Sequence, residues 1–238
     1  MFFDDYPRFF ETSETSAFHN RLNLRYEAIF AENRDILAGA RVLDIASHDG
    51  RWSLAALACG AKSVVGIEAR QDLVDHARAN LELYGYGSDQ YAFVVGDVCD
   101  VLNEQDFDFD VVLCLGYLYH TLRYNALMHG IRKANPGHVI IDTVARPMRV
   151  GRPAVWLVRE PISREGNAFV DKFSFGDSVI VGQPSLRAIR MLLGGYGFEV
   201  DRFSDWDGLI RDNPELAGEG LVDYAKRQRL TIRCIDTT

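Results

Sequence analysis

The chain has 238 residues, 47% hydrophobic and 25% charged, with a formal net charge of −8. This composition excludes a disordered or fibrous chain. The acidic balance, with an isoelectric point near 5.3, excludes the whole-surface basic footprint of a general nucleic-acid binder. No apolar run approaches the roughly 20 residues of a membrane helix, and the opening Met1-Phe-Phe-Asp-Asp places acids where a secretory signal needs bases. Cys59, Cys99, Cys114 and Cys234 are scattered, with no C-x-x-C pair. That speaks against a zinc site or disulfide framework and predicts a reducing, cytoplasmic setting.

The chain reads as residues 1–37, an N-terminal aromatic lid and helix, followed by one domain over 38–238 with an extended insertion at about 146–182. The first ten residues hold Phe2, Phe3, Tyr6, Phe9 and Phe10. A helix is predicted over Ser13–Leu37, capped by Ser13 or Thr15, with Phe18, Leu22, Ile29 and Phe30 on its apolar stripe. Short apolar runs then alternate with amphipathic stretches. Strands are predicted at 42–46, 63–68, 91–95, 109–115 and 138–142, with helices at about 51–59, 72–83 and 122–133. Continuous apolar strands are buried on both faces, which means a parallel sheet covered by helices. The alternation predicts an α/β, Rossmann-like doubly wound sheet. Strand-like 154–158 and 178–181 lie in the insertion. A helix over 184–193 opens with Pro184, and 198–200 and 230–235 would close the sheet, making it mostly parallel with an antiparallel closing strand.

Chemistry concentrates after the strand ends. The first strand runs into Asp44-Ile-Ala-Ser-His-Asp-Gly50, where such a sheet places its ligand, at the next helix's N-terminus. The second ends in Glu68, whose carboxylate can accept both hydroxyls of a ribose; charge-assisted bonds of this kind are worth about 1.5–3 kcal/mol each. Gly96-Asp97-Val98 follows the third strand, where an acid can meet an adenine amino group with Val98 against the ring. Gly116-Tyr-Leu-Tyr-His120 follows the fourth.

This ordered set resembles the class I S-adenosylmethionine-dependent methyltransferases over residues 38–145, with a weaker match at 184–235. Ala46 and His48 stand at two of the family's three glycine positions, and Gly50 keeps the third. The resemblance implies S-adenosylmethionine as cofactor. Asp44 and the loop Ala46, Ser47, His48 and Gly50 would hold its amino-acid end, Glu68 the ribose, Ala69 the pocket edge, Asp97 and Val98 the adenine, and the segment Leu115–Tyr117 would line the sulfonium. The Leu115–His120 stretch is similar to one in bacterial tRNA wobble-uridine carboxymethyl transferases and several small-molecule O-methyltransferases. The aromatic start is closer to bacterial fatty-acid O-methyltransferases.

The preferred expectation is methyl transfer to an oxygen of a small, partly apolar acceptor, a carboxylate such as a fatty acid. Tyr117, Tyr119 and His120 would shape the catalytic site, with His120 as base if the acceptor were an alcohol or phenol. Phe2, Phe3, Tyr6, Tyr26 and Trp156 would contact the acceptor; otherwise the aromatic start packs on the core or on a second subunit, as in a homodimer. Arg21, Arg25 and Tyr26 on the first helix could close over the cofactor. Residues 123–164 hold eight Lys/Arg against two acids, a local excess that could steer an anion and keeps RNA in view, although the net charge opposes it. Alternatives are a tRNA uridine methyl or carboxymethyl transferase and a non-catalytic binding module. Asp142-Thr143 lacks the Asn expected of metal-dependent relatives, so no metal is predicted.

Overall fold

In the computed structural model, residues 1–15, 17–146, 151–162 and 173–238 are described. The chain starts with short turns, including α1 (Arg8–Glu11), then α2 (His19–Ile29) and α3 (Arg34–Leu37). The α/β alternation follows as β1 (Arg41–Ile45), α4 (Arg51–Ala58), β2 (Ser63–Glu68), α5 (Gln71–Leu83), β3 (Tyr91–Val95), α6 (Val98–Glu104), β4 (Val111–Leu115), α7 (Tyr124–Lys133) and β5 (His138–Val144). Beyond it come β6 (Val155–Pro161), β7 (Ser178–Pro184), α8 (Leu186–Gly195), β8 (Phe198–Phe203), α9 (Trp206–Asp212), α10 (Val222–Ala225) and β9 (Arg229–Asp236).

Seven strands form one sheet in the order β3-β2-β1-β4-β5-β9-β8. β1 to β5 pair in parallel, and β9 runs antiparallel to both β5 and β8. The side-chain period of two sorts the sheet onto two cores. In β4, Val111, Leu113 and Leu115 pack with Trp52, Val74 and Leu81 from α4 and α5. Val112 and Cys114 point the other way, against Leu102, Leu127 and Ile189 from α6, α7 and α8. β6 and β7 form a separate antiparallel ribbon within the predicted insertion.

Two expectations are corrected. The predicted 13–37 helix is confined to α2, with a 3-10 turn at Ala31–Asn33 and the single turn α3 after it. Residues 12–15 are drawn into tertiary and local bonds: Thr12 Oγ1 donates to Asp49 (2.9 Å), Glu14 pairs with Arg70, and Ser13 Oγ donates to the Thr15 carbonyl (2.9 Å). Such side-chain bonds compete with helix and win here. The aromatic start is core: Phe3 and Phe9 are fully buried, Phe2 stacks on Tyr26 at 3.7 Å between centroids, and Phe3 sets its edge on Trp52. Phe2, Phe3, Tyr6 and Tyr26, expected to contact an acceptor, instead pack in the core on the α4–α5 side. Burying Phe3 and Phe9, with Phe2, Tyr6 and Phe10 half-buried against them, outweighs leaving the rings over a cleft, at about 1.5–3 kcal/mol per fully buried large side chain.

Candidate functional site

The site is built where β1, β2, β4 and β5 end. The β1–α4 loop carries left-handed backbone at Ala46 (φ 54°), His48 (φ 54°) and Gly50 (φ 80°). The loop thus keeps, at all three glycine positions, a conformation that costs a non-glycine residue about 1–2 kcal/mol. Hydrogen bonds fix it: Ser47 N–H donates to the Ile67 carbonyl (3.0 Å) and Gly50 N–H to the Ser47 carbonyl (3.0 Å). Glu68, buried at the end of β2, accepts from the backbone N–H groups of His48 (3.0 Å) and Arg70 (3.1 Å). The second-strand acid therefore organises the first-strand loop directly.

Below the loop lies a charged pair the sequence reading did not single out. Fully buried Asp49 accepts from Arg51 Nε (2.8 Å) and Thr12 Oγ1 (2.9 Å), and His48 Nδ1 lies 3.2 Å from it. Burial would push the Asp49 carboxyl up, but the Arg51 guanidinium and His48 hold it well below the usual carboxylate range. Asp44 is the opposite case. Its Oδ2 accepts from Ser53 (2.7 Å), while burial, aided by Glu68, pushes its carboxyl up to about 7.

Buried polar atoms are normally hydrogen-bonded. Here Asp44 Oδ1, Ser47 Oγ, His48 Nε2 and Arg25 Nε are buried and have no hydrogen-bond partner. Three belong to the β1 end and its loop. A ligand with an ammonium and several hydroxyls would satisfy groups of this kind.

Asp97 is the N-cap of α6, accepting from Asp100 N–H (3.0 Å), and it also pairs with Arg123. Val98 is buried beneath it. Ala69 is half-buried beside Glu68.

After β4, Leu115 is buried and Gly116 takes φ 98°. A Cβ at Gly116 would stand 3.4 Å from Arg229 Nη2 and 4.0 Å from the Tyr119 hydroxyl, so the missing side chain leaves a gap faced by a guanidinium. Tyr119 accepts from Arg229 Nη1 (3.0 Å). The His120 ring lies tilted against Tyr119, 4.2 Å between centroids, and its Nδ1 lies 3.4 Å from the carboxylate of buried Glu160 on β6. Tyr117, expected with these two, is instead buried in the core on the α6 face, its hydroxyl 3.8 Å from Cys99 Sγ. Trp156 lies on the exposed side of the ribbon, 37% accessible.

At the end of β5, Asp142 is fully buried and accepts four bonds: from Arg229 Nε (2.6 Å), Thr231 Oγ1 (2.7 Å), Tyr224 Oη (2.8 Å) and Arg25 Nη2 (3.2 Å). Burial works against its charge, yet Arg229 and Arg25 hold its carboxyl well below the usual range. Two buried arginines share one carboxylate, which leaves one positive charge in excess. The Gly116 N–H donates to the Asp142 carbonyl (2.8 Å), so this excess sits beside the β4 gap. Arg21 turns instead to Asp223 (2.7 Å). Arg229, Tyr224 and Glu160 were missed; the one available signal was a charged residue opening the apolar strand 229–236. Among the described residues no group of three or more His, Cys, Asp or Glu is placed to hold a metal, and no helix is long and apolar enough to cross a membrane.

Sheet order, left-handed loop and acidic strand end together define a Rossmann-like methyltransferase fold. Residues 42–135 match the family model described as a methyltransferase domain. The chain is similar in fold to an S-adenosylmethionine-dependent methyltransferase from Mesorhizobium loti (TM-score 0.59, 18% identity, 90% of this chain and 99% of that one). It is also similar to magnesium protoporphyrin IX methyltransferase from Synechocystis with bound S-adenosylhomocysteine (TM-score 0.58, 17% identity, 91% and 83%). In sequence it is 34% identical over 83 residues to ribosomal RNA large subunit methyltransferase I of Klebsiella pneumoniae, covering 34% of this chain and 21% of the relative. The Aeromonas hydrophila enzyme of the same name is 37% identical over 78 residues, 32% and 20%. The chain spans about a fifth of the length of these curated relatives. Residues 42–135 thus carry the similarity to a methyltransferase domain, on a fold shared with S-adenosylmethionine-dependent methyltransferases.

Proposed function

We propose that this chain methylates an oxygen of a small, partly apolar, anionic acceptor, with a carboxylate as the preferred target. The observation that carries this reading is the buried Arg25–Asp142–Arg229 cluster, with its surplus positive charge beside the Gly116 gap. A buried uncompensated cation is costly, and an acceptor carboxylate in the gap would neutralise it.

The cofactor, when bound, supplies a methyl group on a positively charged sulfur. Asp44 Oδ1 and Ser47 Oγ would meet its amino-acid end, Glu68 its ribose, and Ala69 and Val98 its adenine. Asp97, already spent on a cap and on Arg123, would fix that wall. Arg229 and Tyr119 would hold the acceptor oxygen in line. Such positioning supplies about 7–11 kcal/mol, against about 3–5 kcal/mol for a general base. A carboxylate is ionised at neutral pH and needs no base.

The His120–Glu160 pair favours a second reading, a hydroxyl acceptor. Glu160 would orient the imidazole, which would take the proton. The test is a panel of medium-chain acids, phenols, alcohols and ribosomal RNA incubated with methyl-labelled cofactor. Methyl esters should form, and Arg25→Gln and Arg229→Lys should lose acid methylation while still binding S-adenosylhomocysteine. Label in hydroxyls or RNA but in no acid overturns the carboxylate assignment.

A further inference from the structure

Of the expected basic stretch, Arg123 pairs with Asp97, Arg132 with Asp236 (2.6 Å) and Lys133 with Asp106 (2.9 Å). Those charges are neutralised. Arg149 and Arg164 lie outside the described residues. Arg146 behaves differently. It joins Arg187 and Arg190, from the first turns of α8, around an open cavity of about 720 Å³. Ala145, Pro153, Leu186 and Leu230 give this cavity an apolar floor.

None of the three arginines has a carboxylate within ion-pairing distance among the described residues. Arg146 Nε donates to the Gln183 side chain (2.5 Å), Arg187 Nη1 to the Gly151 carbonyl (2.9 Å), and the Arg190 guanidinium stands 5.6 Å over the Phe203 ring. In a chain with 34 acids against 26 bases, most arginines find an acid. A fourth arginine of the wall, Arg227, is paired with Asp207; the three that converge on the hollow without an acid leave it a net positive field, which concentrates anions. Each guanidinium retains several free donors in a planar fork suited to phosphate oxygens. The hollow opens beyond the end of β5, on the α8 side of the sheet. Its walls include none of Asp44, Glu68, Asp142 or Arg229.

We propose that this cavity binds the phosphate group of a ligand whose body is apolar or a flat ring, independently of the acceptor reading above. Arg146, Arg187 and Arg190 grip the phosphate, and Ala145, Leu186 and Leu230 carry the body. The phosphate can come from a free phosphorylated small molecule or from a nucleotide within RNA, and the test separates these sources.

The full chain is first saturated with S-adenosylhomocysteine, so that the nucleoside site is filled. Titration calorimetry then uses inorganic pyrophosphate and, separately, a short single-stranded oligouridylate. The exposed double variant Arg187→Gln/Arg190→Gln should weaken binding about tenfold or more. Arg211→Gln, an exposed arginine outside the cavity, should not, and S-adenosylhomocysteine affinity should stay within about twofold in every variant. Binding of pyrophosphate alone identifies the small-molecule source. Binding of the oligouridylate, with a salt dependence that falls by about one for each arginine removed, identifies the RNA source. If neither probe binds the parent protein, or the double variant binds as tightly as the parent, the proposal is overturned.

Discussion

Replacing Asp142 by Asn tests whether the buried cluster is held by charge. The carboxylate accepts from the two arginines on Oδ1 and from Tyr224 and Thr231 on Oδ2. An Asn amide keeps one acceptor oxygen and turns the other into a donor. Its best orientation leaves the oxygen on the arginines and asks the two hydroxyls to rotate. The hydrogen bonds are largely recoverable, but Arg25 and Arg229 then face each other in the interior with no counter-charge. Removing one partner of a buried ion pair costs about 3–5 kcal/mol, so the variant should stay folded within the usual 5–15 kcal/mol margin. At roughly 2–4 °C per kcal/mol for a chain of this size, the melting temperature should drop by about 6–20 °C. Urea unfolding followed by circular dichroism gives the free energy directly. The sign with pH follows from the lowered folded pKa. The native carboxylate stabilises above its ordinary titration range, and that contribution fades as pH falls through the folded value. The gap between parent and variant should therefore narrow in acid. A loss below about 1 kcal/mol at neutral pH, with unchanged urea dependence, would refute the charge account.

Asp44, pushed up to about 7, has the opposite sign. Its contribution is full below its ordinary pKa and is lost as pH rises from about 4 to about 7. Asp44→Asn should gain on the parent by a few kcal/mol between urea midpoints taken at pH 4.5 and pH 8; parallel profiles would contradict this. Ala46→Gly should stabilise by up to about 1 kcal/mol, since relief at φ 54° of about 1–2 kcal/mol exceeds glycine's extra unfolded-state freedom of about 0.4–1 kcal/mol; calorimetry showing a lower melting temperature would contradict it. Glu68→Ala should weaken S-adenosylhomocysteine binding by at least about tenfold, because the ribose acceptor and the anchor of His48 N–H disappear together; unchanged affinity would remove Glu68 from the site.

The parallel sheet was legible because its signal is local. Runs such as Val111–Leu115 are apolar at every position, and strands buried on both faces require that. The strand-end acids were legible for the same reason, since a carboxylate closing an apolar run stands out. The predicted helix over 13–37 failed where Thr12 and Glu14 find partners at Asp49 and Arg70, contacts no local pattern encodes. The aromatic start was ambiguous, because rings that cover a cleft and rings that fill a core share one composition. In the β1–α4 loop, residue identity misled while backbone geometry held: Ala46 and His48 adopt the glycine conformation without being glycine. The paired arginines were illegible as a unit, for Arg25 reads as one more helix cation and Arg229 as a strand-edge one.

Arg25, Asp142 and Arg229 come together across sequence separations of 117 and 87 positions. Closing loops of that size carries an entropic penalty that only the finished sheet repays. A nascent chain still lacking β9 has no such cluster, however well its first five strands have formed. Turnover would therefore report on completion of the last strand, and a refolding assay read by product should lag one read by the burial of Trp52.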